Sequence, residues 1–195
     1  MLRSTRRRGR RHDCLSVARG AGRRFVQAIA VAAGIVATCG AALADSPESV
    51  FHIDRNKNRN QVHYGVRVDE RCAPAGPEPA YNYWLRLEKT PPVVTELSYL
   101  QQTAYGFQSQ HVETDGRVEV RLRSLPDREI VIRVTPVAGK CKAEAFMTID
   151  GKSAYLDKAF VFADEGILMP TVRYIELHGR SNDGHAVYEK IVVNE

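Results

Sequence analysis

The sequence predicts a mainly β fold: an antiparallel β-sandwich or partly closed barrel of about eight to ten strands, with one short helix near residues 95–105. Three observations carry this. Apolar and polar residues alternate with period two through several runs, as in Val118, Val120 and Leu122 against Arg117, Glu119, Arg121 and Arg123; this is the mark of strands with one buried and one wet face. Asp-Gly pairs at 115–116, 150–151 and 183–184 each separate two such runs, and Asp-Gly suits the positive φ of a tight hairpin turn. Only one segment, Thr95–Tyr105, has apolar residues at helical spacing.

In chain order, residues 1–44 read as an export signal. Nine arginines lie between Arg3 and Arg24, an apolar run spans Phe25–Cys39, and Ala42-Leu43-Ala44 precede Asp45. A basic head, a short apolar middle and small residues at −3 and −1 place signal cleavage between Ala44 and Asp45. Two other fates for this segment are a lipid on Cys39 and an uncleaved anchor. Export then places the 45–195 domain in the periplasm or outside the cell, or leaves it membrane-anchored in those two cases. Arg23-Arg24-Phe25 is only loosely like a twin-arginine signal.

Removing the leader changes the charge. It holds nine of the 28 basic residues and one of the 23 acidic ones, so residues 45–195 carry 19 against 22 and sit near −3. That opposes the basic surface nucleic-acid binding needs, and nucleic acid is excluded as a partner. Two of the four cysteines, Cys72 and Cys141, lie in the exported part. An isolated pair in an oxidising compartment predicts a disulfide.

Within the domain, Val62, Tyr64, Val66 and Val68 alternate as a strand. Cys72–Pro79, with three prolines and a glycine, is a loop because it cannot donate a full ladder of hydrogen bonds. Tyr81 and Tyr83 share one strand face, and Trp84 takes the other as a core residue. Pro91-Pro92 precede the helical segment, where Leu97, Leu100 and Ala104 recur, and Gly106 follows as a stop. Pro126-Asp127 is read as the turn before Ile130, Ile132 and Val134.

The residues from Phe51-His52-Ile53-Asp54-Arg55-Asn56-Lys57-Asn58 to Val62-His63-Tyr64 resemble the opening of a bacterial exported family, the domain of unknown function 4833 family. The resemblance continues through Tyr83-Trp84, Glu96–Gln101, Ala104–Phe107, Ile149–Lys152 and Val172–Gly179, and so covers about 50–193. It implies one exported domain and brings no activity.

Two candidate sites follow from the residues themselves. His52, His63, Glu176 and His178 each fall on the polar side of their strands, and together they would suit zinc or copper if those strands are neighbours. The run Arg55, Asn56, Lys57, Asn58, Arg59 would suit an anion or a glycan, since arginine forks grip carboxylates and asparagine amides suit hydroxyls. Neither a nucleophile elbow nor a phosphate-cradling glycine loop is present. The expectation is a non-catalytic binding module with no cofactor, taking an envelope protein, a glycan or a small ligand. The alternative is a small metal-dependent or hydrolytic enzyme built on His52, His63 and His178.

Overall fold

The structure, a computed structural model, describes residues 48–164 and 171–193. The expected leader, Cys39 and the expected Ala44–Asp45 cleavage position lie outside the described residues. The elements are β1 (Phe51–Arg55), β2 (Gln61–Val66), β3 (Ala80–Arg86), β4 (Val93–Thr95), α1 (Tyr99–Tyr105), β5 (Phe107–Val112), β6 (Val118–Leu122), β7 (Leu125–Val137), β8 (Lys140–Ile149), β9 (Lys152–Asp164), β10 (Thr171–Arg180) and β11 (Ala186–Val192). The fold is mainly β with one short helix, as the alternation and turns predict. All three Asp-Gly pairs sit in hairpin connections, with Gly116, Gly151 and Gly184 at positive φ.

The strand order is β4-β3-β2-β1-β9-β8-β7-β6-β5, with β10 on β9 and β11 on β10. The terminal strands β4 and β5 do not pair, so the sheet is not closed into a barrel. One expectation needs correction: the sheet is mixed, because β1 runs parallel to β9 while the other pairs are antiparallel. Hairpins make antiparallel neighbours; β1 and β9 meet instead across the 96 residues from 56 to 151.

β9 is the corner of the domain. Tyr155 has Phe146 of β8 on one side and Arg180 of β10 on the other, while Lys158 has His52 of β1 and His178 of β10. β8 and β1 therefore occupy the same edge of β9, one after the other, and two leaves diverge from that edge. They face each other across a single core. Tyr64 of β2 packs edge-on against Phe107 of β5 at 5.8 Å, and its hydroxyl donates to the Tyr105 carbonyl at 2.7 Å. Phe51, Ile53 and Val62 of one leaf share the core with Val120, Ile132 and Ile149 of the other. Each such side chain removed from water stabilises the fold by roughly 1.5–3 kcal/mol.

Two local expectations shift. The helix begins at Tyr99, not Thr95: Val93–Thr95 is a β-branched run that pairs with β3. Ser98 caps α1, its side chain accepting from the Gln101 N–H while the Gln101 side chain accepts from the Ser98 N–H. Leu97 is buried just ahead of the helix, yet no residue of α1 itself is buried. The β6–β7 turn is at Arg123-Ser124, because Leu122 pairs with Leu125; Pro126-Asp127 lie inside β7 at a register shift. Cys72 and Cys141 form the expected disulfide, Cα atoms 5.3 Å apart, tying the loop after β2 to the start of β8.

Candidate functional site

Cross-strand register places the predicted histidines on one outer face. Tyr83, His63, His52, Lys158, His178 and Tyr188 form a continuous row over six strands. Asp54, Phe160, Glu176 and Lys190 form the next row. The four candidates thus share a face but do not converge. His52 and His178 are two strands apart, about 10 Å at ordinary sheet spacing, with Lys158 between them. Lys158 Nζ pairs with Asp54 at 3.1 Å, and His178 lies 3.6 Å from Glu176. Among the described residues, no three His, Cys, Asp or Glu side chains are grouped to hold a metal ion.

The histidine end of this row is a stack. His52 and His63 rings lie 5.2 Å apart, as do His63 and Tyr83. Their faces are occupied by one another, so they offer edges rather than a flat platform for a sugar ring. Gln61 donates its amide N–H to Asp54 at 2.9 Å, which leaves its oxygen to accept from His63 Nε2 at 2.9 Å. That network puts the proton on Nε2 and leaves Nδ1 2.7 Å from Ser49 Oγ, whose own hydroxyl donates to the Phe51 carbonyl at 3.1 Å. Burial, reinforced by the neighbouring His52, lowers the His63 pKa to about 4. Burial also lowers that of His52. Burial raises Asp54, but hydrogen bonds from Lys158 and Gln61 together hold it below the usual carboxylate range.

The Arg55–Arg59 run stays together but is largely engaged in holding the fold. Arg55 points inward, its guanidinium 4.5 Å from the Trp84 ring and 5.8 Å from Tyr105. It donates to Asn58 Oδ1, while its Nε is buried without a partner. Asn56 behaves like an added strand residue: its amide donates to the Ala163 carbonyl and accepts from the Ala163 N–H. Asn58 also accepts from the Asn60 N–H. Lys57 is exposed. Arg59 is exposed at the edge of an open cleft with Gln61, Lys158 and Phe160.

A second site was not foreseen. At the end of the domain where the leaves open, a half-open apolar groove of about 600 Å³ runs between α1, the β6–β7 turn and β9–β11. Ala104 and Tyr105 form one wall, and Val161, Val172, Ile175 and Ile191 another. The Arg123-Ser124 turn stands on its margin, and the Ser124 hydroxyl is buried there without a hydrogen-bond partner. Arg128, also on the wall, is paired with Glu189, which in turn accepts from the Asp150 N–H at 2.8 Å. In the sequence these valines and isoleucines alternate like any core strand, so nothing in the pattern separates groove from core.

No curated protein and no solved structure matches the chain. The family described as Domain of unknown function (DUF4833) matches residues 51–190, from the first residue of β1 to near the end of β11. That span is most of the chain and holds every element from β1 to β10, the histidine row and the groove's lining apart from Ile191 and Val193. The chain belongs to the DUF4833 family.

Proposed function

We propose that the domain is an exported, non-catalytic binding module that seats a small ligand in the groove at its open end. The observation that carries this is the groove itself. Its volume of about 600 Å³ lies in the range of small-molecule sites, which are concave, mostly apolar and dressed with a few polar groups. Five elements, α1, the β6–β7 turn, β9, β10 and β11, build it, on a scaffold pinned by the Cys72–Cys141 bridge. The leader and that disulfide both favour an oxidising compartment.

The test is a titration of the purified protein with the neutral fluorophore N-phenyl-1-naphthylamine. Saturable fluorescence enhancement is expected, and Ala104→Glu should abolish it. Ala104 is an exposed helical position, so that variant keeps its melting temperature. Absence of saturable binding would remove the groove as a ligand site. Export is tested separately by fractionation and intact mass: a chain starting at Asp45 in the periplasmic fraction supports it, a lipid mass on Cys39 supports the anchored form, and a full-length chain in the cytosol refutes it.

A further inference from the structure

We infer that the groove takes a single-chain amphiphile with a carboxylate head, a long-chain fatty acid in chemical class. This rests on the groove being a ligand site and adds what the ligand must be.

The apolar body is set by the walls. Leu100 and Ala104 are four residues apart on α1 and share a helix face. Ala104 lines the groove, and Leu100, 71% exposed, carries the apolar strip one turn, about 5 Å, further out. On the opposite side Val193 lines the groove while remaining 40% exposed. An elongated hydrocarbon that fills the groove and runs out over Leu100 would cover surface that the protein otherwise leaves wet.

The head is set by the Arg123-Ser124 turn. Arg128 is neutralised by Glu189. Arg123 is exposed and has no acidic partner among the described residues, so it is the cation available at the mouth. Its neighbour Ser124 holds a hydroxyl with no partner, which a buried polar group rarely tolerates. A carboxylate at the mouth gives the guanidinium its counter-ion. It also gives the hydroxyl an acceptor once the serine turns about χ1. Both groups sit on one two-residue turn, so a single carboxylate can serve both. Asp127 is the acid on the same wall, and it also borders a separate polar cleft with Glu129 and Arg133. Its charge opposes heads of higher negative charge more strongly than a singly charged one.

The experiment is displacement of bound N-phenyl-1-naphthylamine from the full purified protein. Decanoate, dodecanoate and tetradecanoate are compared with alkyl glucosides of the same chain lengths, below their micellar concentrations. The apparent Kd should fall about three- to fourfold per added methylene until the groove is full. Dodecanoate should bind about tenfold more tightly than dodecyl glucoside. Arg123→Gln should erase that tenfold advantage, read as the ratio of dodecanoate to dodecyl glucoside affinity within the variant itself. If the dye binds but dodecanoate does no better than the glucoside, or Arg123→Gln changes nothing, the carboxylate assignment is wrong and the groove remains a ligand site. If neither dye nor any alkyl compound binds, the groove reading fails with it.

Discussion

Acid should destabilise this domain through His63. In the folded protein His63 keeps its proton off until about pH 4; in the unfolded chain it protonates near 6.5. Between those values the unfolded state binds more protons, so stability is complete above pH 6.5 and falls as pH drops toward 4. The gap at 1.36 kcal/mol per pH unit sets a ceiling of about 3 kcal/mol. His63 is only partly buried, and solvent screening reduces this to about 1–2 kcal/mol. The facing groups are His52, which protonates in the same direction, Asp54, which stays ionised through this window, and Lys158, bound to Asp54. Urea midpoints at steps from pH 7.5 to 4.5 measure the effect, with His63→Gln as the comparison. The wild type should lose about 1–2 kcal/mol more than the variant over that range. An imidazole proton signal for His63 titrating near 6.5, or parallel pH profiles for the two proteins, would refute the reasoning.

Three further outcomes are expected. Cys72→Ser with Cys141→Ser should lower stability by about 4 kcal/mol, because the bridge closes a loop across 69 positions; calorimetry of the two forms checks it. Gly179→Ala should cost about 3 kcal/mol or more, since a Cβ there would lie 2.0 Å from the Tyr155 carbonyl oxygen and 2.8 Å from Ile149 Cδ1; a soluble variant of unchanged melting temperature would count against the packing described. Asn56→Ala should cost about 1 kcal/mol by freeing both polar groups of Ala163, read as faster amide exchange at Ala163 as well as a lower urea midpoint.

What could be read from the sequence was what is local. Alternation placed His52, His63, Glu176 and His178 on polar faces, and the structure puts all four on one face. Alternation cannot say which strands are neighbours, and Lys158, inserted between His52 and His178, is what keeps the imidazoles apart. Hairpin chemistry found the Asp-Gly turns, yet Ala138-Gly139 closes β7 to β8 with positive φ at both positions and carries no such signal. Pro126-Asp127 looked like a turn because proline usually marks one; here it occupies a register shift one step past the real turn. The Arg55–Arg59 run reads as a solvated binding loop by composition. In the fold Arg55 instead points at Trp84, and Asn56 completes the ladder of β9.

The corner strand has a consequence for how the chain comes to fold. β9 finishes both leaves, the later one with residues 152–155 and the earlier one with residues 158–161. Of the first strands to emerge in synthesis, β1 therefore waits for a partner made about a hundred residues later, and the leaf it forms with β2 to β4 waits with it. Assembly cannot proceed strand by strand from the N-terminal side, and contacts of such long sequence separation make for slow folding. Until β9 arrives, β1 presents a bare edge, the kind of template on which other chains add strands. Truncations that stop short of Lys152 should therefore fail at the opposite end of the sequence, aggregating through β1 while their own final residues are still intact.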